Sequence, residues 1–171
     1  EKVDKIVFWS RFPMIILGVL LGLFIYLWSR DLYGEVAGIF SLFLFSFCPN
    51  FLAYSCLVIT DTPVTLFFVM TLYFLWRYFE DSKKKDLILT GISFGLALST
   101  KFSAFFVLSL ILLIFTFYGI FKRKLKLNMW HYYILSFIII PSLILLISYQ
   151  LNIGNFKWFL MGIKRIFSET A

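Results

Sequence analysis

The stretch from Phe12 to Ser29 reads FPMIILGVLLGLFIYLWS and contains no charged residue. As an α-helix it is just long enough to cross a hydrocarbon core of about 30 Å. Pro13 suits the first turn of such a helix, where the backbone N–H has no helical partner. This stretch therefore predicts a transmembrane helix.

Apolar runs recur along the rest of the chain, separated by short polar segments. Pro49 interrupts the second run and predicts a helix break, and Pro141 predicts a kink in the last run. Two GxxxG patterns, Gly18 with Gly22 and Gly91 with Gly95, predict close helix packing. The further runs cover residues 36–48 with a continuation over 51–59, then 63–79, 87–100, 102–120 and 132–149.

Together these runs predict an all-α fold, a polytopic transmembrane helical bundle of about six spans. We expect one domain over residues 1–171. Within it, residues 1–11 would form the end of an outer loop, residues 12–149 the six spans, and residues 150–171 an interfacial amphipathic segment. Because the chain starts at Glu1 rather than at a methionine, we expect it to be part of a longer protein.

The composition supports a membrane protein. Hydrophobic residues make up 61% of the chain and charged residues 15%, and the mean hydropathy is +0.93. A soluble domain has about half apolar and a quarter charged residues, so a water-soluble enzyme is excluded. The 22% aromatic content excludes a disordered chain. The cysteines, Cys48 and Cys56, are predicted to be buried membrane thiols, with a disulfide as the alternative.

Basic residues are distributed unevenly between the predicted connections. Successive connections between membrane spans lie on alternating sides of the membrane. The connections on one side carry nine basic residues, whereas those between spans on the other side carry only Lys101. By the positive-inside rule the nine face the cytoplasm, which puts the turn containing Asp61 on the non-cytoplasmic side of a multi-pass cell-membrane protein. The same rule accounts for the net charge of +7, and no nucleic-acid partner is expected. The nine are Arg30, Arg77, Lys83, Lys84, Lys85, Lys122, Arg123, Lys124 and Lys126.

Asp61 is the acidic residue whose position is most unusual, because it lies between two apolar runs. An ionisable group at such a place is a functional-site hypothesis by default. The alternative is an ordinary helix cap, with Asp61 or Thr62 capping a helix that has Pro63 at its first position. The two interpretations are compatible, since a capping carboxylate can still bind a cation or accept a proton.

Two cations are further candidates on the same outer side. Lys101 follows a short apolar run, and Arg11 precedes the first span. Each could face a phosphate group. The alternatives are a lysine that snorkels from a helix end and an arginine that anchors the chain at the interface.

The order of these features resembles the GT-C superfamily of membrane glycosyltransferases, and most of all its branch of protein mannosyltransferases and aminoarabinose transferases. The resemblance covers roughly residues 11–118. The segments that carry it are Arg11-Phe12-Pro13, YLWSRDLYG over 26–34, Cys48-Pro49-Asn50, LVITDTP over 57–63 and GLALSTKFS over 95–103.

The resemblance implies an enzyme that transfers a sugar from a polyprenyl-phosphate donor to a lipid, glycan or protein acceptor on the non-cytoplasmic side. Asp61 matches the family's second acidic position, which helps to hold a divalent metal, Mg²⁺ or Mn²⁺, or to orient the acceptor. The main catalytic carboxylate is expected upstream of Glu1, unless Glu1 or Asp4 belongs to that loop. Lys101 and Arg11 match positions near the cavity, where they would bind the carrier phosphate.

A second class of function fits the same spans. Broken helices such as the one expected at Pro49 also occur in transporters, so a non-enzymatic polytopic protein, either a transporter or an assembly subunit, is the alternative. Transporters often contain inverted repeats, and none is visible between the two halves of this chain.

Overall fold

Helices account for the regular structure of the described chain, as its apolar runs predict. The computed structural model describes residues 2–55, 59–101 and 130–148, together with the single positions 104, 109, 113 and 161. The chain divides into two compact units, residues 1–73 and residues 74–171. The all-α prediction is confirmed for the described residues.

The first unit begins with a long helix, α1, from Lys2 to Tyr33. Residues 2–11, which we expected as the end of a loop, are helical, while the side of the membrane that they face stays a prediction. The part from Phe8 to Tyr33 is apolar and long enough to span a bilayer. Only 17% of its apolar window is buried, so most of these side chains point outward, as lipid contact requires.

Helix α2 runs from Glu35 to Ser46 and is separated from α1 by Gly34 alone. Gly34 has φ 93° and ψ 177°, a conformation that only glycine adopts without strain. The two helices then approach closely at Gly22 and Gly38. A Cβ on Gly22 would lie 3.1 Å from the Phe45 ring, and one on Gly38 would lie 3.0 Å from the Tyr26 ring. The close packing predicted at Gly22 is therefore confirmed.

A polar cluster lies at the end of α1. Arg30 pairs with Asp31 at 3.1 Å, and the hydroxyl of Tyr73 donates a hydrogen bond of 2.8 Å to the other oxygen of Asp31. The hydroxyl of Tyr26 donates to Glu35 at the start of α2. The Tyr26 bond joins α1 to α2, and the Tyr73 bond joins the end of α1 to the helix that contains Tyr73.

Helix α2 ends before Pro49, and a short helix, α3, runs from Pro49 to Ser55. The predicted break is thus confirmed. Helix α4 then extends from Asp61 to Asp81 and crosses from the first unit into the second. Ser82 follows with φ 54°, a left-handed residue that ends the helix. Lys83 donates a hydrogen bond to the exposed Asp81 and lowers the pKa of that carboxyl below its usual value.

In the second unit, α5 runs from Lys84 to Thr100. A short helix α6 covers Trp130–Ile134, a π-helical turn covers Leu135–Ile139, and α7 covers Ile140–Ser148. The irregular turn lies directly before Pro141, which lacks the N–H that a regular helix would use there, so the predicted disruption is at the expected place.

Helix α5 packs against the π turn and α7 through its glycines. Gly91 faces Ser136, whose hydroxyl donates to the Leu87 carbonyl, and Gly95 faces Pro141 and Ile144. The packing role predicted for this GxxxG pattern is confirmed.

The six-span prediction is not confirmed. In the described residues, α1 alone is both long and apolar enough to span a membrane, and Glu35–Ser46 and Tyr132–Ser148 are shorter apolar helices. Helix α5 contains Thr90 and Ser93, both buried, which lower its apolar character. The predicted run over 102–120 and the segment over 150–171 lie almost entirely outside the described residues.

Candidate functional site

The break between α2 and α3 is the first structural element of the site. Cys48 precedes a proline, which disfavours the helical conformation at that residue. The chain leaves α2 there and starts again, with the N–H of Leu52 donating to the Cys48 carbonyl at 3.0 Å. This places Asn50 and Phe51 in the first turn of α3, with Asn50 exposed.

The start of α4 is the second element. The N–H of Val64 donates to the Thr60 carbonyl at 3.1 Å, so Thr60 occupies the capping position and Asp61 is the first helical residue. The cap is therefore one residue earlier than we predicted. Pro63 still lies in the first turn, where its missing N–H has no helical partner in any case. Asp61 is exposed, at the helix end where the dipole favours a negative charge.

These two elements enclose an open cleft of about 370 Å³ in the first unit. The residues that line it carry a carboxylate, a carboxamide, hydroxyls, a thiol and one aromatic ring. Such a mixture of an apolar surface with a few convergent polar groups is typical of small-molecule sites. The described residues lining the cleft are Cys48, Asn50, Phe51, Asp61, Thr62 and Thr65.

The hydroxyls in the cleft wall differ in their bonding. Thr65 donates its hydroxyl to the Asp61 carbonyl at 2.7 Å. Thr62 is only 3% exposed, and its Oγ1 has no hydrogen-bond partner among the described residues. A buried hydroxyl without a partner is unfavourable by about 1–3 kcal/mol. Cys48 carries a free thiol and is half-buried.

An apolar groove of about 320 Å³ adjoins the cleft, and Phe51 lines both. The groove lies between α1, α2 and α3, and its surface is mostly apolar. The side chains on the outer face of α1 are exposed as well, so the groove opens beside an apolar helix surface. Its remaining walls are Ile15, Gly18, Val19, Gly22, Leu42, Phe45, Ser46 and Leu52.

Arg11 lies on the exposed surface of α1. It is four residues before Ile15, so the two side chains share one face of the helix. Arg11 is thus placed one turn beyond the α1 wall of the apolar groove. It is not among the described residues that line the Asp61 cleft.

Lys101 belongs to the second unit. It follows α5 in an extended conformation, with φ −153°, and is exposed. The Ala104 N–H donates to its carbonyl at 3.1 Å. Helix α5 ends at Thr100, directly before Lys101, and the role of Lys101 in binding phosphate stays a prediction.

Metal binding was tested against the donors present. Over residues 2–55, 59–101 and 130–148, no group of three or more His, Cys, Asp or Glu side chains could hold an ion. Asp61 and the Asn50 amide supply oxygen donors to the cleft. Mg²⁺ usually binds one or two carboxylates together with substrate phosphates, so these donors would suit such an ion only when a phosphate completes the site.

Sequence reasoning identified Asp61 but not the residues that surround it. Asn50 and Thr62 were visible only as parts of larger motifs, because their proximity depends on how the chain returns from α3 to α4. The Asn after Pro49 and the Thr beside Asp61 are polar residues next to apolar runs, and that signal could have pointed to them.

Comparison with known proteins gives one clear result. A protein-family model described as dolichyl-phosphate-mannose-protein mannosyltransferase matches residues 5–147. Comparisons with curated proteins and with solved structures found no match. The family match covers most of the chain and includes most of α1, all of α2 to α5 and the whole Asp61 cleft. The chain therefore belongs to the dolichyl-phosphate-mannose-protein mannosyltransferase family, which consists of membrane glycosyltransferases of the GT-C type.

Proposed function

We propose that this protein transfers a sugar from a polyprenyl-phosphate donor to a lipid, glycan or protein acceptor on the non-cytoplasmic side of the cell membrane. The observation that carries the proposal is the adjacency of two cavities at Phe51. A cleft lined by Asp61, Asn50 and two threonines meets an apolar groove that is suited to a hydrocarbon chain. A lipid-linked sugar has these same two parts, a polar head and an isoprenoid tail.

The reaction would proceed by substitution at the anomeric carbon of the donor sugar. The acceptor hydroxyl oxygen forms a bond to this carbon as the bond from the carbon to the phosphate oxygen breaks. The lipid phosphate leaves with the electron pair, and the acceptor proton passes to a carboxylate base. Asp61 would accept a hydrogen bond from the acceptor hydroxyl and so orient it for attack.

Positive charge would stabilise the leaving phosphate. Arg11 is placed beyond the apolar groove, on the same helix face as Ile15, which suits a phosphate at the end of an isoprenoid chain. Lys101 remains a second candidate from the sequence. A cation that is already oriented toward developing negative charge lowers the barrier more than one that must reorganise.

Divalent metal dependence is part of the proposal. Asp61, with the donor phosphate, would hold Mg²⁺ or Mn²⁺. The ion would supply charge neutralisation at the phosphate.

The proposed sidedness rests on the distribution of charge. Basic residues are concentrated in the connections after α4 and before α6, and the Asp61 turn lies between helices on the other side of this pattern. This charge distribution supports a site on the non-cytoplasmic side.

The test uses the protein reconstituted in lipid nanodiscs and a polyprenyl phosphate that carries radiolabelled mannose. We expect the label to leave the lipid phosphate and to appear on an acceptor or in water. An intact donor after prolonged incubation, together with uptake of solute by proteoliposomes, would instead identify a transporter.

A further inference from the structure

We propose that the Asp61 cleft binds one sugar ring, with Thr62 and Asn50 reading its hydroxyl groups and Phe51 lying against its face. This inference rests on the proposed function, because it names the substrate class of the same site. It adds two residues that determine which sugar is accepted.

The buried hydroxyl of Thr62 is the first argument. Its side chain is 97% buried and lines the cleft, yet its Oγ1 lacks a partner among the described residues. Two χ1 rotamers of threonine are populated in helices, and a change between them moves the hydroxyl to a different side of Cβ. The hydroxyl can therefore turn toward a ligand in the cleft, and a ligand hydroxyl would satisfy it.

The residues of α3 are the second argument. A carboxamide offers both donors and an acceptor, which matches the dual character of a sugar hydroxyl. Asn50 is exposed at the cleft, so its amide can reach a ligand. The Phe51 ring packs against Phe45 with centroids 4.1 Å apart, which fixes its orientation. The negative face of an aromatic ring attracts the weakly positive C–H bonds of a sugar ring.

The size of the cleft limits the ligand. Small-molecule pockets are typically about 300–1,000 Å³, and the cleft volume of about 370 Å³ is close to the lower bound. This volume is sufficient for a monosaccharide. Asp61 at its wall adds a carboxylate, a strong acceptor for sugar hydroxyls.

A binding role for Thr62 has a signature that a structural role lacks. Thr62→Val replaces an unpartnered buried hydroxyl by a methyl of the same shape, so the Tm should stay constant or rise. Thr71→Val is the matched control on the same helix, because the buried Thr71 hydroxyl already donates to the Phe67 carbonyl at 2.6 Å. That variant should lower the Tm and leave sugar binding unchanged.

The native thiol of Cys48 provides the binding assay, because it lines the same cleft. Cys56→Ser leaves Cys48 as the one thiol in these 171 residues. The rate of Cys48 alkylation by N-ethylmaleimide is measured with increasing methyl α-mannoside, methyl α-glucoside, methyl α-galactoside or methyl β-arabinoside. Glycerol at equal concentration controls for solvent effects.

We expect at least one glycoside to slow alkylation in a saturable way. Thr62→Val should weaken that protection about five-fold, the effect of one neutral hydrogen bond, and Asn50→Ala should weaken it at least as much. Protection that is equal in the wild type and in Thr62→Val would overturn the role of Thr62. Failure of all four glycosides to protect Cys48 would overturn the sugar site itself.

The radiolabel assay separates this inference from the proposed function. If mannose leaves the polyprenyl donor but no glycoside protects Cys48, the protein is a glycosyltransferase whose sugar binds elsewhere. If glycosides protect Cys48 but the donor stays intact, the sugar site stands and the transfer reaction fails.

Discussion

Replacing Gly91 with alanine should destabilise the protein by about 2 kcal/mol. The added Cβ would lie 2.8 Å from the Ser136 hydroxyl oxygen and 2.9 Å from its Cα, with the Ser136 carbonyl nearer still. A backbone atom cannot rotate away, so the overpacking cost falls near the upper end of the usual range, about 3 kcal/mol. Alanine is more favourable than glycine inside a helix by about 1 kcal/mol, so the net loss of stability is about 2 kcal/mol.

The assay is thermal unfolding of the purified protein in detergent, and the expected loss corresponds to a Tm about 4–8 °C lower. Gly22→Ala is the control, because its Cβ would meet only side-chain atoms of Phe45 and Leu42, at 3.1–3.3 Å. Those side-chain atoms can shift, so the cost of overpacking and the gain in helix propensity nearly cancel, and the Tm should change little. A Gly91→Ala protein as stable as Gly22→Ala would refute the packing of α5 on the π turn.

Three further predictions follow from backbone conformation and charge. Gly34→Ala should lower the Tm, because φ 93° costs a residue with a side chain about 1–3 kcal/mol. Ser82→Gly should not lower the Tm, because glycine relieves the strain at φ 54°. Thermal unfolding measures both, and a Tm that is lower for Ser82→Gly than for Gly34→Ala would contradict the two turn conformations. Lys101→Met and Arg11→Met should each raise the KM for the polyprenyl donor by about ten-fold, the effect of losing one charged hydrogen bond. Steady-state kinetics with a titration of the donor measures this KM. An unchanged KM in either variant would show that the residue does not bind the phosphate. EDTA should abolish sugar transfer, and added Mg²⁺ or Mn²⁺ should restore it; full activity in excess chelator would exclude a dissociable metal.

The helices themselves follow closely from the sequence. The apolar runs, Pro49 and the polar loop around Ser82 predicted the ends of α2 to α5 within a few residues, because helix length and proline geometry are local properties. The close approach at Gly91 was predictable for a similar reason, since only glycine lets two helices come so near.

The candidate site was predictable only in part. Asp61 was identified because its charge contrasts with the apolar runs on both sides. Its neighbours Asn50 and Thr62 were not, because the cleft depends on how α3 packs beside the start of α4. The capping residue was also misplaced by one position, since Thr60, Asp61 and Thr62 are all suitable caps and the sequence alone does not decide between them.

The most direct test of the central claim compares Asp61→Asn with Asp81→Asn in the radiolabelled-donor assay. Both replace a carboxylate by an amide on α4, but Asp81 is exposed and pairs with the exposed Lys83, and such a surface pair contributes little. We predict that Asp61→Asn lowers the rate of sugar transfer by about 100-fold through loss of acceptor orientation. Its Tm should fall by no more than a few degrees, since only one favourable charge at the helix end is lost, while the transfer rate of Asp81→Asn stays within about two-fold of wild type. Equal transfer rates in the two variants would contradict the assignment of Asp61 to the active site.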